Sequence, residues 1–147
     1  MTFQIKRIYE SAQPSDGTRV LVDRLWPRGV KKADAHLDYW MKDVAPSAEL
    51  RLWFGHVPAR FHEFRRRYQA ELTGNQSVGE LRKLGRDNQV TLLYAAHDPE
   101  VNHALVLWSV VQRGFKGERI IPAKKAARKK ISGYNAPFGR IPAIYAG

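Results

Sequence analysis

Hydrophobic and polar positions change period several times along this chain, and each change predicts an element. Residues 3–9, FQIKRIY, alternate. Phe3, Ile5, the stem of Arg7 and Tyr9 fall on one side with polar residues between, which predicts a strand. The segment SAQPSDG, 11–17, is turn chemistry. RVLV, 19–22, is a short apolar run of the kind found in strands covered on both faces. WPRG breaks it, because Pro27 and Gly29 cannot continue a central strand. QVTLLYAA, 89–96, is the longest β-branched and aromatic run in the chain and predicts a second doubly covered strand.

Helical spacing occupies the regions between. In PSAELRLWFG, Ser47 is placed to cap a helix, Glu49 suits its first turn and Gly55 ends it. In VPARFHEFRRRYQAELTG, Pro58 lies near the start, Phe61, Phe64, Tyr68 and Leu72 form an apolar stripe, and Gly74 stops the helix. SVGELRKLG carries a capping-box pattern, Ser77 with Glu80. HDPEVNHALVLWSVVQRG predicts a helix capped by Asp98, with Pro99 at its first position and Ala104, Leu105, Trp108 and Val111 toward the core. Residues 33–45 fit either a short helix, with Leu37, Trp40 and Met41 on one face, or an irregular segment. Doubly covered strands alternating with helices predict an α/β layered domain with a small, mainly parallel sheet.

Composition then sets limits. The 147 residues, 44% of them hydrophobic, suit one compact domain. No apolar run reaches the ~18 residues of a membrane span. The opening MTFQIKRIYES carries charge where a signal peptide needs an apolar stretch, and Cys is absent, which points to the cytoplasm and removes disulfides, thiol nucleophiles and Cys-bound zinc. The net charge is +11, yet eight of the 25 basic residues and one of the 14 acids lie from residue 116 onward. The chain therefore divides into an α/β domain, 1–115, and a basic, Gly/Pro/aromatic extension, 116–147. A basic end suits a polyanion or simply a solvated tail.

In an open α/β sheet, ligands bind beyond the carboxyl ends of the strands. The first predicted strand of this kind runs into DRLWPRGVKK and the second into HDPEVNH. If the two strands are parallel neighbours, both clusters share one edge. Asp23 and His103 are then candidate acid/base residues. Arg24, Trp26, Arg28, Lys32 and Asn102 are candidate ligand contacts, with Arg offering paired donors to phosphate or carboxylate. Arg28 is favoured, because PRG puts it on an exposed turn. Plainer roles compete: Asp98 as a cap, Asp23 as a structural ion pair, Trp26 and Pro27 as a plug and a turn. His97 and His103, like His56 and His62, stand six apart rather than four, so no metal site is expected. The run Arg65–Arg67 reads as a solvated helix face or a phosphate-binding one. No GxxxxGK[ST], GxGxxG, GxSxG or HExxH motif is present, and no cofactor is indicated.

RVLVDRLWPRGVKK, APSAELRLWFGH, FRRRYQAEL and TLLYAAHDPEVNHALVL, taken together and in order, resemble the YeaO-like branch of the bacterial family catalogued as "domain of unknown function 488". The resemblance covers about residues 3–115. It implies a small cytoplasmic α/β protein and includes Asp23, Arg24, Trp26, Pro27, Arg28, Gly29, Lys32, Trp40, Pro46, Ser47, Arg51, Phe54, Tyr68, Asn102 and His103. It implies no particular reaction, and the basic extension departs from the family pattern. Two functions follow as expectations: binding of a phosphate-bearing or other anionic ligand in the strand-end cleft, with or without catalysis, and binding of nucleic acid by the tail and the Arg65–Arg67 face. In the second, Tyr134, Phe138 and Tyr145 would stack on bases. A homo-oligomer completed by the tail is a further expectation.

Overall fold

The computed structural model describes residues 2–113. The extension from 116, with Tyr134, Phe138 and Tyr145, lies outside them. Among the described residues four strands form one wholly parallel sheet: β1 (Thr2–Arg7), β2 (Thr18–Leu21), β3 (Tyr39–Trp40) and β4 (Gln89–Tyr94), in the order β1-β4-β2-β3. The helices are α1 (Lys32–Ala35), α2 (Ala48–Phe54), α3 (Phe61–Leu72), α4 (Gln76–Asp87) and α5 (His103–Arg113). This is the small parallel α/β domain that the doubly covered strands predicted.

Strand alternation divides the buried residues into two layers. Phe3, Val20, Val22, Val90, Leu92 and Tyr94 face one side and pack on Phe54, Phe64, Tyr68, Leu72, Leu81 and Leu107 of the helices. Leu21 and Leu93 face the other side, where Ile8, Ala35, Trp26, Val30 and Trp40 cover them. The predicted alternation of β1 ends at Arg7. Beyond it Ile8 is buried, and Tyr9 stands 45% exposed in the turn that follows.

The second side of the sheet also holds a polar network beside the amino end of β2. Asp16, 1% exposed, pairs with Arg19 at 2.5 Å and with Lys6 at 2.9 Å. Gly17 follows with φ +67, and a Cβ there would stand 2.3 Å from the Gln89 carbonyl oxygen. Backbone cannot give way as a flexible side chain can, and a non-glycine residue is already strained at that φ. Gly17→Ala should therefore cost about 1–3 kcal/mol, read as a lower denaturant midpoint at unchanged slope.

Ser47 caps α2 as predicted, accepting from Leu50 N, and Gly55 closes it at φ 50. Phe64, Tyr68 and Leu72 form the buried stripe of α3. Three expectations are corrected. First, α4 is capped by Asn75, whose side chain accepts from Ser77 N, so Ser77 lies inside the helix and makes no box with Glu80. An Asx side chain next to the first turn reaches the free N–H groups before a residue two positions later can.

Second, α5 begins at His103, not after Asp98. Asn102 Oδ1 accepts from Leu105 N at 3.0 Å, while the Asp98 side chain closes a tight turn by accepting from Glu100 N. The buried positions of α5 are Ala104, Val106, Leu107, Val110 and Val111, while Leu105 and Trp108 are only partly buried. Third, residues 33–45 are neither one helix nor irregular throughout. They hold the end of α1 and the two-residue β3, which a period-2 pattern cannot reveal at that length.

Candidate functional site

β2 and β4 are parallel neighbours, with Leu21 opposite Leu93. Their carboxyl ends therefore lie side by side. The chain leaves β2 toward β3 on one flank and leaves β4 for α5, which packs over β1. Diverging connections open a crevice beyond the strand ends.

Asp23 closes the floor of that crevice. Its Oδ2 accepts from Ala95 N at 3.0 Å, and its carbonyl accepts from the Trp40 indole N–H at 2.7 Å. His103, the first residue of α5, stands above it. His103 Nε2 is 3.0 Å from the Val22 carbonyl and 3.1 Å from Asp23 Oδ1. Both neighbours are acceptors, so the network assigns the ring proton to Nε2. The N–H is aligned with Val22, and buried Asp23 Oδ1 makes no hydrogen bond to any described residue.

Arg24 turns onto one wall, donating from Nε to the Pro46 carbonyl at 3.1 Å and from Nη2 to the Ala45 carbonyl at 3.2 Å. These bonds hold the segment that leads into α2. The same segment is held from behind by Tyr68, whose hydroxyl donates to the Val44 carbonyl. Burial, then the nearby Glu71 and Asp23 carboxylates, push the Tyr68 phenol well above its ordinary value, so it remains a neutral donor. Trp26 donates to the Val30 carbonyl at 2.7 Å and packs edge-on against Trp40.

The resulting pocket has a volume of about 190 Å³. Leu25, Trp26, Ala45, Pro46, Phe54, Phe64 and Ala96 make it largely apolar, and Asp23, Arg24, Arg51, His56 and His103 supply its polar groups. A few convergent polar groups in an apolar cleft is the usual make-up of a small-molecule site. Arg51 Nε and Asp23 Oδ1 are enclosed by protein and make no hydrogen bond to a described residue, although Asp23 Oδ1 stands 3.1 Å from His103 Nε2. His56 sits in the left-handed region at φ 59, directly after the Gly55 turn.

Asp23, Arg24, Trp26 and His103 of the sequence-derived set thus line one pocket. Arg28, Lys32 and Asn102 do not. After Trp26 the chain passes under the other face of the sheet, where Val30 and Ala35 pack, and carries Arg28 and Lys32 away. Arg28 is exposed on its turn, and its carbonyl accepts from the Tyr9 hydroxyl. Asn102 is buried and occupied with its cap and with the Asp98 carbonyl. Arg51 and His56 stand outside the sequence-derived set. Nothing in their local sequence ties α2 to a strand end some thirty residues away, although Arg51 was among the residues that fitted the family motifs.

The Arg65–Arg67 run lies on the outer side of α3. Arg66 and Arg67 both pair with Glu63, at 2.7 and 2.8 Å. Hydrogen bonds from Arg66 and then Arg67 hold the Glu63 carboxyl down at about 2. Arg67 and Arg60 both lie over the Trp53 ring, 4.5 and 5.2 Å from its centre, and Arg65 lies over Phe61. Among the described residues no helix is long and apolar enough to cross a membrane, and no three His, Asp or Glu side chains gather as metal ligands.

A small parallel α/β domain with a polar-floored pocket beyond its central strands is the class this geometry defines. The chain belongs to the inactive DUF488-N3 subclade, whose family profile matches residues 2–130 and so continues past the boundary expected near 115. The uncharacterized protein YeaO of Escherichia coli K12 is 47% identical over 108 residues, covering 73% of this chain and 94% of YeaO. The uncharacterized protein Rv3073c of Mycobacterium tuberculosis H37Rv is 49% identical over 104 residues, covering 71% of this chain and 88% of that protein. The expected YeaO-like relationship is therefore established. No solved structure matches the chain.

Proposed function

We propose that this domain binds a small phosphate- or carboxylate-bearing ligand in the pocket at the ends of β2 and β4, and that it binds without turning the ligand over. Arg51, a guanidinium on the lining of this largely apolar pocket, carries the reading. A guanidinium presents several donors, and an anionic oxygen is their natural partner. Arg24 adds a second positive charge whose Nε and Nη2 are already bonded to the wall, so its position is set before a ligand arrives.

A catalytic reading draws on the 3.1 Å approach of His103 to Asp23. Two observations favour binding alone. The family is described as an inactive subclade, and the described residues lining the pocket include no Ser, Thr, Cys or Lys to act as a nucleophile.

Calorimetric titration of the full chain with inorganic phosphate and with short carboxylates tests the proposal. Saturable one-site binding is the expected result. Arg51→Gln should weaken it by about 10- to 100-fold, from the worth of a charge-assisted bond. Absence of saturable binding to every anion, or equal affinity in Arg51→Gln, would overturn it. Turnover of phosphate esters that stops in both Asp23→Asn and His103→Gln would replace the binding reading with the catalytic one.

A further inference from the structure

The inference names the class of anion that the pocket accepts, and it rests on the anion-binding reading above. Most polar atoms around the pocket are already engaged inside the protein. Arg24 gives Nε and Nη2 to the Pro46 and Ala45 carbonyls, and the Trp26 indole N–H goes to the Val30 carbonyl. Asp23 Oδ2 accepts from Ala95 N, and its Oδ1 is enclosed and stands 3.1 Å from His103 Nε2. That ring nitrogen also lies 3.0 Å from the Val22 carbonyl. Arg51 is the exception. Its guanidinium makes no hydrogen bond or ion pair among the described residues, and only its Nε is enclosed, which leaves the two Nη groups open. We infer that the ligand carries a single carboxylate on a compact apolar body of about one ring. Its class is a small aromatic or branched-chain carboxylic acid without further polar groups.

One guanidinium with two open amino groups matches one carboxylate, whose two oxygens take two parallel N–H bonds. A phosphate brings more oxygens than this pair of donors satisfies, and the unserved ones would give up water without a replacement. Hydroxyl groups on the ligand meet the same difficulty, because beyond Arg51 the lining offers them little except the exposed His56. The walls suit a carbon body instead. Leu25, 59% exposed, and the partly exposed Trp26 and Ala96 give the pocket accessible apolar surface. A ring laid on them removes that surface from water together with its own. The pocket volume of about 190 Å³ sets the size. An apolar cavity of about 150 Å³ takes benzene, so the scale here is one ring with its carboxylate.

The test uses four probes: benzoate, acetate, inorganic phosphate and the uncharged benzamide. Benzoate and acetate share a head group and differ in the ring. Benzoate and benzamide share the ring and differ in charge. Each is titrated calorimetrically into the full chain, into Arg51→Gln and into Leu25→Ser. Leu25 is exposed, so Leu25→Ser removes apolar wall without opening the core. Thermal unfolding of each variant verifies that it is folded.

Benzoate is expected to bind about tenfold or more tighter than acetate, phosphate or benzamide, the scale on which a buried ring or a charge-assisted bond moves affinity. Leu25→Ser should weaken benzoate by about threefold or more and leave acetate unchanged. Arg51→Gln should weaken both carboxylates by about tenfold. Acetate or phosphate binding as tightly as benzoate, or benzoate unaffected by Leu25→Ser, with Arg51→Gln still weakening the anions, would overturn this inference and leave the anion pocket standing. Benzamide binding as tightly as benzoate would show that charge is not recognised and would overturn both readings. No saturable binding of any of the three anions would do the same.

Discussion

Asp16→Ala lowers the stability of this domain by about 3–5 kcal/mol, the usual consequence of removing one partner of a buried ion pair. Arg19 is 5% exposed and gives Nη1 to Asp16, while its Nε and Nη2 donate to the His36 and Ala35 carbonyls. It cannot leave for solvent when the carboxylate goes. Lys6 Nζ, 2.9 Å from Asp16, loses its partner as well. The network reaches the sheet itself, because Thr91 Oγ1 donates to the Asp16 carbonyl and accepts from Gln4 Nε2. Urea unfolding measures the loss. The paired substitution Asp16→Leu with Arg19→Met should recover part of it, since an apolar pair removes the unpaired charge. A loss below 1 kcal/mol in Asp16→Ala would show that the network does not bear on stability.

The same carboxyl predicts an acid dependence. Burial pushes Asp16 up, but hydrogen bonds from Gln13 N, Lys6 and Arg19 outweigh it and hold the folded-state value below the ordinary 3.8. A depressed folded-state pKa means the stabilisation is fully present above the unfolded-state value and is lost as pH falls through the folded one. Stability of the natural chain should therefore decline below about pH 4, and Asp16→Asn should flatten that part of the curve.

Phe64→Ala costs a similar amount, about 3–5 kcal/mol. The ring is 1% exposed, stacked on Phe54 at 4.2 Å between centres and tilted against Tyr68 at 5.6 Å. It belongs to the main core and lines the pocket as well. Its loss therefore opens the pocket inward instead of leaving a sealed void. Phe64→Leu, which retains most of the volume, should cost less, and denaturation of the two variants measures the difference. Equal stability of Phe64→Ala and the natural chain would show that the pocket wall is not part of the core.

Much of the fold was legible because burial writes a period into the chain. The doubly apolar runs at 19–22 and 89–96 became the two central strands, and Phe64, Tyr68 and Leu72 became the stripe of α3. Caps were less legible. Ser77 and Asp98 have the right chemistry, but Asn75 and Asn102 stand closer to the first free N–H groups and take them. At the pocket, the strand-end residues Asp23, Arg24, Trp26 and His103 share one lining. The same reasoning extended to Arg28 and Lys32 failed to place them there, because a turn at Pro27–Gly29 redirects the chain and a side chain's distance from the strand end then says little about where it points.

By itself, the sequence determined the class of fold through its local period, the family through its motifs, and the polar clusters that follow the two central strands. The tertiary structure alone decided which polar atoms are left without a hydrogen bond. Arg24 and Arg51 are alike as letters. One has Nε and Nη2 bonded to backbone carbonyls, and the other has a buried Nε with no acceptor among the described residues. Hydrogen-bond satisfaction depends on what surrounds an atom in three dimensions. That is why the run that ends in Asp23 could mark the site without stating its chemistry.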